Sequence, residues 1–243
     1  MSAVSFKVRS VLPLPVSGDN ADELYRRLML ERHSVRQYLD RPVPEETRER
    51  LDAYVGALNR ESGLNIQTVY DEPGCFGSFM AKYGTFSGCT NYISLIGPVE
   101  LPDLDERCGY YGELAVLEAQ RLGLNTCWAA LSHGKTRAEV AEGEREVIVI
   151  ALGFGKTPGK PSRSKKPEEV SDLSAKDPDW YRRGIEAALL APTAINQRKF
   201  RFSREGNRVT LEAGRIGPCL KIDLGIVGCH FEIAAGRGNF DWE

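Results

Sequence analysis

The chain has 243 residues, 42% hydrophobic and 27% charged, with 32 basic and 34 acidic side chains and a formal net charge of −2. That length and composition suit one large globular domain or two small ones with a substantial core, and they exclude low-complexity, collagen-like and wholly disordered chains. No global basic excess points to a nucleic-acid partner, although balanced charge permits a local basic pocket.

The longest apolar runs, such as residues 147–152, are far too short to span a bilayer. The first nine residues show no charged n-region followed by an apolar h-region, so a cytoplasmic rather than a secreted protein is expected. Cys75, Cys89, Cys108, Cys127, Cys219 and Cys229 form no C-x-x-C pair and no His/Cys cluster with zinc spacing. They read as mostly reduced, mostly buried thiols; a redox-thiol role has no motif behind it. No metal site is expected.

Residues 1–18 read as an arm containing Pro13 and Pro15. Residues 22–30 suit a helix that runs into the basic stretch Glu31-Arg32-His33-Ser34-Val35-Arg36. Arg41-Pro42-Val43-Pro44-Glu45-Glu46 follows, and proline before acids is a helix-start signal. The spacing of Leu51, Tyr54, Val55 and Leu58 predicts one buried face on that helix. Residues 65–70 can form a strand, and a connection through Gly74, Gly77, Gly84 and Gly88 leads to a second strand at 92–96. Residues 113–122 predict a helix ended by Gly123. The β-branched run 147–152 predicts a strand buried on both faces. Residues 153–167, rich in Gly, Pro and Lys, read as a linker or a binding loop. Asp177-Pro178-Asp179 predicts a helix with Asp at the N-cap, Ile185, Ala188 and Leu189 on one face, and a stop near Pro192. Residues 199–203 and 208–211 alternate around Glu205-Gly206-Asn207, a hairpin signal. Residues 222–235 form a last helix, apolar almost all round and therefore central.

A repeat runs through this order. With Pro44 placed over Pro178, Leu51 falls on Ile185, Ala53 on Ala187 and Val55 on Leu189; Gly112 and Gly123 match Gly225 and Gly236. Two copies are too few for a solenoid but suit a fused pseudodimer, in which one chain imitates a two-fold homodimer. Chance alignment of two amphipathic helices is the competing account.

Several segments carry chemistry-bearing groups. Arg32 to Arg36 hold two guanidiniums, an imidazole and a hydroxyl; such groups pair with phosphate or a carbonyl. On composition alone a solvated basic helix end explains them better. Ala191-Pro192-Thr193-Ala194-Ile195-Asn196-Gln197 could bring backbone close to a flat ligand, but in isolation a plain helix stop explains it better. Gly153 to Pro161 is no P-loop, because Phe154 occupies the first glycine position and Pro161 follows Lys160. No strand-to-helix G-x-G-x-x-G and no G-x-S-x-G elbow is present. Arg163-Ser164-Lys165-Lys166 could meet a phosphate or form a wet basic loop. His33, His133 and His230 are scattered, and His230 on an apolar helix reads as a hydrogen-bonded core histidine.

Taken together and in order, these segments resemble the nitroreductase family of FMN flavoproteins. Glu31-Arg32-His33-Ser34-Val35-Arg36 is similar to that family's E-R-x-S-x-R/K segment. Residues 41–46 resemble the segment that follows it. Gly123-Leu124-Asn125-Thr126-Cys127-Trp128-Ala129-Ala130 is similar to its G-L-G-T-C-W-x-G turn. Residues 151–155 and 163–167 resemble its strand and following basic segment, and residues 191–197 its A-P-S-x-x-N-x-Q. The resemblance covers about residues 22–236. In the ordinary family the A-P-S-x-x-N motif soon follows R-x-S-x-R; here it sits in the second half, which lacks R-x-S-x-R. Family members are homodimers whose partner donates A-P-S-x-x-N. A fused pseudodimer that kept one site would discard these pieces in complementary halves. The resemblance thus points to the single-chain, two-lobe branch.

The resemblance implies an α+β fold: a mostly antiparallel sheet flanked by helices, with two related lobes at 19–167 and 168–243. It implies that helices at about 109–122 and 222–235 pack together. It implies one FMN per chain and NAD(P)H as electron donor. A nitroaromatic or quinone-type acceptor would be reduced by ping-pong hydride transfer through flavin N5, with no catalytic side chain identified. Arg32, His33 and Ser34 would meet the phosphate and ribityl chain, and Arg163 and Lys165 would complete the phosphate site. Arg36 would lie at the pyrimidine edge and tune the ring. The backbone of Trp128, Ala129 and Ala130 would approach N5 and O4. Pro192, Thr193, Ala194 and Asn196 would close the site. The partner class is a small-molecule acceptor, without nucleic acid or membrane, and a monomer suffices if the dimer interface is internal. The alternatives are an FMN-binding protein without physiological turnover and a flavin-free interaction domain. Three departures stand out: Thr193 for Ser, Asn125 and Ala130 where Gly is frequent, and Gln197-Arg198-Lys199 without the common Pro-Trp. Asn125 is expected to tolerate a left-handed turn.

Overall fold

A computed structural model describes residues 4–8, 14 and 21–243. Pro13 and Pro15 of the expected arm lie outside the described residues. In chain order the elements are β1 (Val4–Ser5), α1 (Ala21–Glu31), α2 (Glu45–Ser62), β2 (Gln67–Val69), two short turns α3 (Gly74–Gly77) and α4 (Phe79–Tyr83), β3 (Asn91–Pro98), α5 (Leu104–Arg121), β4 (Asn125–Ala129), β5 (Glu144–Gly153), α6 (Pro167–Val170), α7 (Asp179–Ala188), β6 (Phe200–Glu205), β7 (Arg208–Ala213), α8 (Leu220–Ala235) and β8 (Asp241–Trp242). The fold is α+β. As expected, the sheets are mostly antiparallel; the strands of the described residues form two sheets of four.

The chain separates into two compact units. A central unit holds residues 31–104 and 114–161; a terminal unit holds the described residues up to Leu30, then 105–113 and 162–243. The bounds of these units differ from those of the lobes expected at 19–167 and 168–243.

In the central unit the sheet order is β2-β3-β5-β4, every pair antiparallel. β5 lies between two neighbours and is buried from Ile148 onward, which is why its sequence is a continuous β-branched run. α2 begins after Pro44, whose φ of −59° is preset for a helix entry, and carries Glu45 and Glu46 against the positive end of its dipole. Leu51, Tyr54, Val55 and Leu58 are all buried, as their spacing predicts. Ala53 is exposed whereas Ala187 is buried, so that pair of the proposed repeat differs in environment. α2 ends at Gly63 with φ 69°, a left-handed cap that glycine takes without a Cβ clash.

In the terminal unit β7 pairs with β1 and β6 antiparallel and with β8 parallel. The β6–β7 hairpin turns at Gly206, φ 61°, as predicted. α7 opens at Pro178 and not at Asp177. The Asp177 carboxylate instead accepts hydrogen bonds from the backbone N–H and hydroxyl of Ser174 and pairs with Arg204, a stronger claim on an acid than a cap. Phe202, Phe231, Phe240 and Trp242 form an aromatic core, with Phe202 stacked on Phe231 at 4.7 Å.

α5 starts at Leu104, nine residues before the predicted Glu113. Gly109 and Gly112 lower its intrinsic propensity, but residues 105–113 belong to the terminal unit with α8, and there glycine is what the packing requires. A Cβ on Gly109 would stand 2.1 Å from the Ile222 carbonyl oxygen, and one on Gly225 1.9 Å from that of Glu106. Gly109 and Ile222 are equivalent in the repeat defined by Gly112 and Gly225, and they meet each other. Deeper in the same crossing, His230 Nε2 lies 2.9 Å from Glu113 Oε1 and its Nδ1 3.0 Å from the Ala187 carbonyl, fully buried as the sequence predicts. Gly123 and Gly236, the expected ends of the two helices, both take left-handed φ, 81° and 77°. All six cysteines are free thiols, five of them buried and Cys219 partly so. Among the described residues no helix is long and apolar enough to cross a membrane, and no cluster of three or more His, Cys, Asp or Glu could hold a metal ion.

Candidate functional site

The predicted site residues fall into two groups, one in each unit. In the central unit, α1 ends at Glu31 and the following basic stretch runs extended, not as a solvated helix end. Its backbone is pinned at successive points. Ser34 forms a parallel bridge with Thr126, and the Val35 N–H donates to the Thr126 carbonyl at 3.0 Å. Ser87 N–H donates to the Arg36 carbonyl at 3.0 Å, and Tyr38 N–H to the Ser87 carbonyl at 2.9 Å. Leu39 N–H reaches the Phe154 carbonyl at 2.8 Å, and Lys156 N–H the Gln37 carbonyl at 2.9 Å. Residues 33–36 therefore behave as a strap laid along the start of β4 and the chain leaving β5.

Extended backbone alternates its side chains. Val35 is buried, while Ser34 and Arg36 are exposed and His33 is half-buried. Arg32, 6% exposed, sits at the base of the strap. The Tyr38 hydroxyl donates to the Val35 carbonyl at 2.7 Å and closes the strap's inner side. Burial pushes the Cys127 thiol up; Arg36, a hydrogen bond with Ser34, and Arg32 oppose that effect. The cations of this segment thus act on Cys127, in the middle of β4. The loop after β5 lies against the strap: Gly159, φ 80°, would place a Cβ only 2.7 Å from that of His33. Asn125 does not take the left-handed turn considered for it. It pairs with Gly153 in β4, and its side-chain carbonyl accepts the Gly155 N–H at 2.9 Å; Gly123 makes the turn instead. Trp128 pairs with Ile150 and is half-buried, Ala129 pairs with Val149 and is buried, and Ala130 follows the strand end, exposed.

In the terminal unit, α7 gives way to the loop carrying Pro192, Thr193, Ala194 and Asn196. Pro192, Thr193 and Ala194 are half-buried and Asn196 is exposed. Ile195, Asn196 and Arg198 take left-handed φ of 46°, 58° and 41°. For a β-branched residue such as Ile195 this conformation is strained and persists only where the surroundings hold it. Two anchors do so. The Asp223 carboxylate of α8 accepts the Ala194 N–H at 2.9 Å and the Gln197 side-chain N–H at 2.8 Å. Burial raises its pKa to about 6 against those two hydrogen bonds. Arg198, 3% exposed, supplies the second anchor through its backbone N–H to the Thr193 hydroxyl at 3.0 Å and through its guanidinium. Arg163 is exposed; Lys165 is half-buried and donates to the Arg198 carbonyl at 2.7 Å. The Asn196 amide is used within the loop, donating to the Arg163 carbonyl at 2.9 Å and accepting from Arg198.

Sequence reasoning missed Asp223, Gln197 and Arg198. An acid in the first turn of an otherwise apolar helix signalled the first, and the missing Pro-Trp after Gln197 signalled the altered packing around Arg198.

The guanidiniums, imidazole and hydroxyl of residues 32–36 in the central unit are groups that suit a phosphate dianion, and so, taken separately, are the guanidinium of Arg163 and the ammonium of Lys165 in the terminal unit. The pattern of the family described as “Putative TM nitroreductase” matches residues 24–235. Among solved structures, a “putative nitroreductase” of Thermotoga maritima is similar at 18% identity, covering 92% of this chain and 88% of that one, with a TM-score of 0.64. A “putative nitroreductase in complex with FMN” from Desulfovibrio desulfuricans is similar at 22% identity over 63% of this chain and 98% of its own, TM-score 0.49. An NAD(P)H nitroreductase-like structure from Parabacteroides distasonis is similar at 18% identity over 60% of this chain and 95% of its own, TM-score 0.48. Comparison with curated proteins finds no match. With the family pattern spanning both halves of the chain, from α1 to the end of α8, this protein belongs to the nitroreductase family of oxidoreductases.

Proposed function

We propose that the chain is a cytoplasmic FMN-dependent oxidoreductase that takes electrons from NAD(P)H and delivers them to nitroaromatic or quinone-type acceptors, with one FMN per chain. The observation that carries this reading is the pinned strap. In a chain of this family, it leaves Ser34 and Arg36 exposed beside β4, the strand that carries Trp128 and leads to Ala130. When bound, FMN supplies the redox chemistry by accepting a hydride from the nicotinamide and passing reducing equivalents to the acceptor.

The chain's own residues bind and tune. Arg32, His33 and Ser34, together with Arg163 and Lys165, would offset the two negative charges of the phosphate. Arg36, fixed by the strap's backbone bonds, would hold a positive charge at the heterocycle and favour its negatively charged reduced form. The backbone of Trp128, Ala129 and Ala130 would offer polar groups to the ring edge. Pro192, Thr193, Ala194 and Asn196 would cover the site and exclude water. No protein nucleophile is called for.

One site per chain follows from the fused reading. The order helix, two paired strands, helix occurs twice, as α2-β2-β3-α5 and as α7-β6-β7-α8. The equivalent residues Gly109 and Ile222 meet at the helix crossing, as residues on a two-fold axis do. With that crossing internal, the chain would work as a monomer.

Anaerobic titration of the FMN-loaded protein with NADH and with NADPH tests the reading. Loss of the flavin's visible absorbance, restored by a nitroaromatic or a quinone, is expected. Bound flavin that neither donor bleaches would instead identify an FMN-binding protein without turnover.

A further inference from the structure

Arg198 is a guanidinium that proteins rarely bury unless every donor has a use. Its Nε donates to the Leu189 carbonyl at 3.3 Å and its Nη2 to the Ser162 hydroxyl at 2.8 Å. Its Nη1 donates to the Arg163 carbonyl at 2.6 Å and also to the Asn196 side-chain oxygen. Its backbone N–H holds Thr193, and its carbonyl holds the Lys165 ammonium. Three segments therefore meet at one side chain: the end of α7, residues 162–165, and the left-handed loop 193–198. Arg163, Lys165, Thr193 and Asn196, four of the residues assigned to FMN, are each fixed by Arg198 or by a group that it holds.

We propose that Arg198 is a positioning residue for the phosphate end of FMN. It locks residues 162–165 to the loop 192–197 before the ligand arrives, so that phosphate affinity depends on a side chain that does not itself contact the ligand. This rests on the FMN reading of the site. The physical reason is preorganisation: a loop with successive left-handed residues and an exposed basic segment would otherwise have to be ordered during binding. A planar fork with five donors can reach Leu189, Ser162, Arg163 and Asn196 together; a lysine ammonium with three donors cannot. Asp223 holds the loop from its other side, at Ala194 and Gln197, so loss of Arg198 loosens the site without removing the fold.

The test uses the full chain, wild type and Arg198→Lys, which keeps the charge and loses the fork. Hydrogen exchange on the flavin-free proteins comes first. Faster exchange is expected at residues 162–166 and 190–198, with α8 still protected. Affinities for FMN and for riboflavin come second, from quenching of flavin fluorescence. FMN is expected to bind at least about tenfold more weakly, and riboflavin to change by less than about threefold, within the range for residues that support ligand contacts. Unchanged exchange overturns the lock. Faster exchange with unchanged FMN affinity, or equal losses for FMN and riboflavin, overturns the positioning role. If wild type binds no FMN, the flavin reading fails and this proposal with it, while the exchange data still report the lock itself. Should Arg198→Lys fail to fold, Ser162→Ala, which removes one of the four acceptors, carries the same comparison.

Discussion

Replacing Gly225 by alanine places a carbon 1.9 Å from the Glu106 carbonyl oxygen and 2.6 Å from the Tyr110 backbone nitrogen. Carbon–oxygen contacts settle near ~3.3 Å, so the helices must separate by more than about 1 Å. Both obstructing atoms are backbone, and rotamer changes cannot relieve them. The opening also strains the buried His230–Glu113 contact at 2.9 Å. Overpacking of this kind costs ~1–3 kcal/mol. A broken buried hydrogen bond adds ~1–3 kcal/mol, and the better helix propensity of alanine returns ~1 kcal/mol. The net loss expected is about 3 kcal/mol, equivalent to a fall in melting temperature of ~6–12 °C for a chain of this size. Thermal unfolding followed by circular dichroism measures it. Gly238→Ala is the control, because a Cβ there meets nothing within 4 Å; it should stay within ~0.5 kcal/mol of wild type. A Gly225→Ala protein as stable as the control would refute the close crossing of residues 105–113 with α8, and with it the support for the proposed two-fold relation between Gly109 and Ile222.

Two further outcomes follow from buried groups. Burial raises the thiols of Cys75 and Cys89, to about 12, and those of Cys127, Cys229 and Cys219 as well, so access decides: only Cys219, the one partly exposed thiol, should react with Ellman's reagent in the native protein, against all six after unfolding. More than one rapidly reacting thiol in the native state would contradict the packing. Asp223 has a folded pKa raised to about 6, above the ordinary carboxylate value of ~3.9. The folded state therefore binds more protons than the unfolded one between these values, and this group makes stability fall as pH rises through that window, by up to ~1.4 kcal/mol per pH unit. Denaturant melts of wild type and Asp223→Asn should diverge with that slope between about pH 4 and 6; parallel curves would show that Asp223 is not buried as described.

Much of this was legible in the sequence wherever the signal is local. The spacing of Leu51, Tyr54, Val55 and Leu58 located the buried face of α2, and the run ending at Leu152 located the central strand β5. The solitary His230 on an apolar helix announced a satisfied core histidine. What escaped depends on partners far along the chain. The basic stretch after Glu31 resembles a helix end, and only Thr126, Ser87 and Phe154 make it an extended strap. Gly109 reads as a helix breaker until α8 lies against it. β8 is two residues long and exists through its pairing with β7. Arg198 looks like a surface charge, because its acceptors at Leu189, Ser162 and Arg163 come together only in the fold.

The amount of flavin that the chain holds is the most direct test of a single-site flavoenzyme. Purified protein incubated with FMN and desalted should show the flavin spectrum at close to one FMN per chain. Close to two would contradict the single-site pseudodimer, and none would contradict the flavoenzyme reading while leaving the family fold in place.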